Sequence, residues 1–272
     1  MAGPKMGQPG RLAGVPHARP IEEHLRRLAS PAAFPVRAED TVPWWAVFSA
    51  GLAPVLLIGA WLAADAVQPA SYSPIRQTIS VLAGDAGTDR WIMTATLFLV
   101  GSSYLVTAAG LAGVRVPART LLAVSGVSTI GIAASPEPAS GPTSQHLAWV
   151  VLAAVSIAVW PALAARRLPP RPVVLSGYGS AAVTVVFAAL LGWLFIETKG
   201  GGYLGLVERL TTSAQACWPF VVALALRRAA SRLGGKNRPT GSQLFCPRRG
   251  GPVEADSPGH RHRPAERPWA GC

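Results

Sequence analysis

The chain has 272 residues, of which half are hydrophobic and 14% charged, yet its formal net charge is +12. A soluble domain carries about a quarter charged residues, so the charge must be segregated from the apolar part. The basic residues fall in Pro/Gly-rich tails and in short links between apolar runs rather than on one folded face, which argues against a nucleic-acid-binding protein and for a membrane protein.

Residues 1–42 hold many Pro, Gly and Arg and no sustained period, and they are expected to form a disordered, basic cytoplasmic tail. Within it, Ile21, Leu25 and Leu28 share a face over a short stretch at 21–29. Six apolar runs follow, at about 45–64, 91–114, 118–134, 146–165, 173–196 and 206–226. Each is close to the ~20 residues needed to cross a bilayer. The fold class expected is therefore all-α, a polytopic bundle of six transmembrane helices within residues 43–228. The third run is the shortest and least hydrophobic, and its Ser125, Ser128 and Thr129 suit a helix packed inside the bundle. Pro54, Pro161 and Pro219 fall inside helices. Residues 229–272 form a second basic, disordered tail.

Orientation follows from the links. Arg115 and Arg119 follow the second run, Arg166, Arg167 and Arg171 the fourth, and Arg227, Arg228, Arg232 and Lys236 the sixth. The alternate links are poorer in Lys and Arg, which predicts both termini inside. The high Arg-to-Lys ratio with abundant Ala, Gly and Pro suggests a GC-rich bacterial genome, and hence the bacterial plasma membrane. Cys217, Cys246 and Cys272 are an odd number with no CxxC spacing, so no disulfide framework is expected.

The first outer link is the most informative stretch. Ser73 is a capping residue and Pro74 suits the first turn of a helix, after which Ile75, Ile79 and Leu82 share one face and Arg76 and Ser80 another. This predicts a short helix at the outer interface, with Arg76 and Gln77 facing a cleft. Asp65, Glu137, His146, Glu197, Glu208 and Arg209 fall at the same outer level. The expected ligand-binding set is Arg76, Gln77, Ser80, His146, Glu208 and Arg209, with Arg76 pairing Glu208 across the bundle. The structural alternatives are a dipole-stabilised Glu208, a snorkelling Arg209 and a helix-capping His146.

The run Ser73-Pro74-Ile75-Arg76-Gln77-Thr78-Ile79-Ser80, the small Gly/Asp loop at 84–89 and Arg90-Trp91-Ile92-Met93 resemble the DUF998 family of bacterial integral membrane proteins. The Pro-rich loop from Pro136 to His146, Trp160-Pro161, and Gly205-Leu206-Val207-Glu208-Arg209 agree with it. The resemblance covers roughly residues 45–228. It implies six helices, singles out Arg76, Ser80, His146, Glu208 and Arg209, and supplies no reaction.

No HExxH, partnered GxSxG or Walker loop is present, and His146 is the only histidine of the membrane region, so neither cofactor nor metal is expected. The leading expectation is a non-enzymatic protein whose outward-facing polar cleft binds lipid or another hydrophobic ligand. Membrane lipids are its expected surroundings and nucleic acid is not an expected partner. The alternatives are a small-solute transporter moving on proline-kinked helices, and an intramembrane lipid-modifying enzyme using His146 and Glu208 as an acid–base pair.

Overall fold

The computed structural model describes residues 3, 41–165 and 172–236, with side chains to residue 232. The stretch at 21–29, Arg166, Arg167, Arg171, Cys246 and Cys272 lie outside the described residues. Every regular element among the described residues is helical. In chain order these are α1 (Trp44–Ala66), α2 (Ile79–Ala83), α3 (Trp91–Gly110), α4 (Val116–Ala134), α5 (Ser144–Ala164), a 3₁₀ turn (Val173–Leu175), α6 (Gly177–Glu197) and α7 (Leu204–Lys236).

Five helices, α1, α3, α4, α5 and α6, are long and apolar enough to cross a membrane. The sixth long helix, α7, falls below the same measure because its first turns carry Glu208, Arg209, Thr211, Thr212, Ser213 and Gln215. The least apolar member of the bundle is thus α7 rather than α4. At 33 residues α7 is about 50 Å long, and it continues as helix past residue 228.

The six long helices form a ring in chain order. Each packs on its neighbour in sequence, and α7 returns to α1. The packing differs from that of a water-soluble bundle, because apolar side chains cover the outside as well as the core. Large apolar side chains such as Val55, Phe98, Val151, Val185 and Phe195 face outward, while Ser49, Ser103, Thr107, Ser125, Ser128 and Thr129 are buried. Lipid is as apolar as leucine, so helix association rests on close approach and interhelical hydrogen bonds instead. The expected inward packing of Ser125, Ser128 and Thr129 on α4 is observed.

Close approach is clearest between α3 and α4. A Cβ on Gly101 would lie 2.6 Å from the Gly126 carbonyl oxygen, and one on Gly126 would lie 2.7 Å from the Gly101 carbonyl oxygen. The two backbones touch there. Between α1 and α3, the Ser49 and Thr107 hydroxyls are 2.9 Å apart. Ser49→Ala is expected to destabilise the bundle by about 0.6 kcal/mol, the average for such a bond in a membrane protein, measured by reversible unfolding in mixed micelles.

Arg119 has a local structural task. Its Nε donates to the Ala108 carbonyl at 2.9 Å and its Nη2 to that of Ala109 at 3.2 Å. These belong to the last turn of α3, whose carbonyls have no partner within the helix. Pro54, Pro161 and Pro219 lie inside α1, α5 and α7 as expected.

Candidate functional site

The links 67–90, 135–143 and 198–203 lie at one end of the ring, where Arg209 fastens the first of them to α1 and α7. Its guanidinium is 5% exposed. Nη1 donates to the carbonyls of Pro74 (2.8 Å), Gln77 (2.9 Å) and Gly205 (3.0 Å). Nη2 donates to Asp65 Oδ1 (2.8 Å) and to the Tyr72 hydroxyl (2.6 Å). Tyr72 in turn donates to Asp65 Oδ1 at 2.9 Å. Burial, and then the bond to Asp65, push the Tyr72 hydroxyl above its ordinary pKa, so it stays protonated. The Trp61 ring covers the guanidinium, its centroid 5.4 Å from the Arg209 carbon. One planar cation thereby ties the end of α1, the first link and the start of α7.

This clasp explains why the helix expected from Ser73 onward is shorter. The chain makes one turn, with the Gln77 N–H donating to the Ser73 carbonyl at 2.8 Å. It then breaks, because the next carbonyls are engaged elsewhere. Those of Pro74 and Gln77 accept from Arg209, and that of Ile75 accepts from the Leu206 N–H at 3.1 Å. Helix α2 starts only after Thr78, whose side chain accepts from the Val81 N–H at 3.3 Å. Gly205 is required at the seam, because a Cβ there would overlap the Gln77 carbonyl oxygen.

The six residues singled out by the sequence divide into separate groups. Gln77 belongs to the clasp, and its side-chain Oε1 accepts from the Ser73 N–H at 2.9 Å. Arg76 is exposed, and the expected pairing with Glu208 is not formed. Glu208 turns instead to the start of α2, where its Oε2 accepts from the Ile79 N–H at 2.6 Å. That bond satisfies one of the helix's orphan donors. His146 is buried under the 135–143 link, with Nδ1 2.7 Å from the Ser135 carbonyl. A carbonyl partner makes Nδ1 the protonated nitrogen, and Nε2 has no partner. His146 does not cap α5; Thr143 does, accepting from the His146 N–H at 3.1 Å. Burial raises the carboxyl pKa of the nearby Glu137 above its ordinary value, against a smaller opposing effect of His146.

Beneath the clasp, the centre of the ring holds a cavity of about 120 Å³. Its walls are mostly aliphatic, including Leu57 of α1, Leu97 and Val100 of α3, Ile157 of α5, and Leu191 and Leu194 of α6. Of the expected residues, Ser80 and Glu208 line it, whereas Arg76, Gln77, His146 and Arg209 do not. Glu208 spends one oxygen on Ile79; its Oε1 makes no hydrogen bond among the described residues. His146 therefore lies outside the wall of this cavity, which Glu208 lines. No group of three or more His, Cys, Asp or Glu able to hold a metal occurs among the described residues.

Of the deeper polar lining, the sequence places Ser125 and Thr129 inside the bundle without assigning them to the site, and sequence reasoning missed Tyr104, Thr211, Thr212 and Gln215. These are uncharged residues inside apolar runs, whereas the sequence candidates lie at helix ends and in the outer links. A signal was nevertheless present, since Glu208, Thr211, Thr212 and Gln215 fall at i, i+3, i+4 and i+7, one face of a helix.

No curated protein and no solved structure matches the chain significantly. A family model does match, that of a protein family of unknown function, DUF998, over residues 51–225. The match runs from the second turn of α1 to Ala225 in α7 and so includes the clasp and every wall of the cavity. This multi-pass helical membrane protein belongs to the DUF998 family.

Proposed function

We propose that the protein is a non-enzymatic binding protein of the bacterial plasma membrane, with both termini cytoplasmic. Its cavity takes an amphipathic, lipid-like molecule whose hydrogen-bond-donating group rests against Glu208. Support for the orientation comes from Arg115, Arg119, Arg227, Arg228 and Arg232, which lie at the end of the ring opposite the clasp. Support for the ligand class comes from the cavity's make-up. Aliphatic walls favour an apolar chain, and a pocket with few placed polar groups fixes orientation through them.

The observation that carries this reading is that Glu208 lines this mostly aliphatic cavity with one carboxyl oxygen that makes no hydrogen bond among the described residues. A carboxyl oxygen at such a place calls for a donor, and a hydroxyl or amine headgroup supplies one. The cavity volume accommodates several waters or a stretch of aliphatic chain.

Native mass spectrometry of the purified full-length protein, titrated with a long-chain alcohol in mixed micelles, tests the proposal. Glu208→Gln keeps an oxygen for the Ile79 N–H but offers an N–H₂ group to the cavity. Binding of the alcohol is expected to weaken about tenfold in that variant, equivalent to the loss of one hydrogen bond to the carboxyl group. Failure of the wild type to bind any long-chain alcohol, or equal binding by Glu208→Gln, would sink the assignment.

A further inference from the structure

The cavity has a second set of unsatisfied polar groups, deeper in the bundle than Glu208. Along α7, Gln215 lies seven residues beyond Glu208, about 10 Å further along the axis. Between them Thr211 and Thr212 line the cavity but need no ligand, since their hydroxyls donate to the carbonyls of Val207 and Glu208 at 2.7 and 2.8 Å. Across the cavity on α4, Ser125 and Thr129 are satisfied in the same manner. They donate to the carbonyls of Ala153 and Ser125 at 3.3 and 2.8 Å.

Gln215 differs from all of these. Its side chain is 3% exposed, lines the cavity, and carries an amide nitrogen without a partner. Tyr104 of α3 reaches the same cavity at 6% exposure, and its hydroxyl makes no hydrogen bond among the described residues. Buried polar groups are normally paired, and each exception asks for an explanation such as a ligand. In a wall where the neighbouring threonines close on their own helix and Ser125 on the Ala153 carbonyl of α5, two open groups are a recognition feature rather than a packing accident.

We infer that the molecule bound here carries a second oxygen within its apolar portion, a carbonyl or hydroxyl that accepts from the Gln215 amide and bonds to the Tyr104 hydroxyl. The inference rests on the amphiphile reading above and narrows it to an oxygenated lipid, with its two polar points about 10 Å apart. A plain long-chain alcohol satisfies Glu208 alone. A site built to hydrogen-bond an oxygen rejects the analogue lacking it, because its own polar groups are then left unpaired.

The test compares two probes on the full-length protein, a long-chain alcohol and the same alcohol with an additional mid-chain hydroxyl. Competition between them in mixed micelles, read by native mass spectrometry, gives the ratio of their affinities. The wild type is expected to favour the diol about fivefold, the value of one good neutral hydrogen bond. Gln215→Leu is expected to bring the ratio close to one. Tyr104→Phe, which removes only an oxygen, is expected to lower it as well and guards against a folding defect in the first variant. A wild-type ratio of one, or a ratio unchanged in both variants, overturns the inference. Glu208→Gln separates the two proposals, since it should weaken both probes together and leave the ratio intact. If neither probe binds the wild type, the amphiphile reading falls first and the deeper contact with it.

Discussion

Truncating Arg209 to alanine is expected to lower the unfolding free energy by about 3–5 kcal/mol, the usual result of removing one partner from a buried ion pair. The substitution strands Asp65, whose side chain is only 16% exposed, and leaves the carbonyls of Pro74, Gln77 and Gly205 without their common donor. It also removes the partner that the Tyr72 hydroxyl accepts from. Arg209→Lys is expected to recover less than half of the loss. A lysine brings one compact charge and no planar fork, so it cannot address the carbonyls on one side and Asp65 on the other. Asp65→Asn should be milder, because an amide oxygen still accepts from Nη2. Unfolding in mixed micelles, followed by tryptophan fluorescence, orders the three variants. A melting curve for Arg209→Ala that overlays the wild type would show that the clasp contributes nothing to stability.

The second large effect is expected at the contact between α3 and α4. Gly101→Ala and Gly126→Ala each place a methyl group against the carbonyl oxygen of the other glycine, at 2.6 and 2.7 Å before relaxation. The obstacle is backbone, so a rotamer change cannot relieve it and the helices must part. The Gly101 methyl would also meet the Ile130 side chain at 2.7 Å. Each substitution should cost about 1–3 kcal/mol through overpacking. The double variant should cost clearly less than the sum, because one separation of the helices relieves both clashes. Ser125 lies beside Gly126 in sequence and lines the cavity, so the same variants should alter the cavity wall and with it the binding of the proposed amphiphile. Additive losses would mean that the two contacts relax independently and that the backbones are not in mutual contact.

The crossing helices were legible because a membrane imposes a length on any helix that spans it, and the six apolar runs carry that length. The expected bounds of the six long helices lie within a few residues of those observed at most ends. The exceptions have physical causes. The predicted helix from Ser73 fails because local capping signals compete with a cation 132 residues away, which takes the Gln77 carbonyl. The 173–196 run divides into a 3₁₀ turn and α6 where the Ser176 side chain caps the latter, accepting from the Gly179 N–H at 3.0 Å.

The site was legible only in part. Glu208 is legible as a charged residue near the start of the last apolar run, and Ser80 through the face it shares with Arg76 in the first outer link. Arg209 is legible for the same reason as Glu208, yet its partners Asp65 and Tyr72 lie 144 and 137 residues away, which no periodicity encodes. Arg76 had the right chemistry and points away from the cavity. Gln215 carries no charge, so it stood out in the sequence only through its spacing from Glu208.

Helix α6 has a different relation to the rest of the molecule. Of its 21 residues only Ser180, Phe187 and Glu197 are buried. At its end Glu197 accepts from the Trp193 indole at 3.1 Å and from the Tyr203 N–H at 2.9 Å, which fastens the turn into α7. Over most of its length the protein holds α6 by a narrow seam, and the surrounding hydrocarbon does the rest. Leu191 and Leu194 nevertheless form a wall of the cavity. One side of the cavity is therefore closed by a helix that the protein itself grips only lightly. Bilayer thickness and fluidity act on it directly, since a span that mismatches its membrane adjusts by tilting. The shape of the cavity becomes a joint property of the chain and its lipids, and a detergent micelle and a bilayer amount to two different surroundings for this wall.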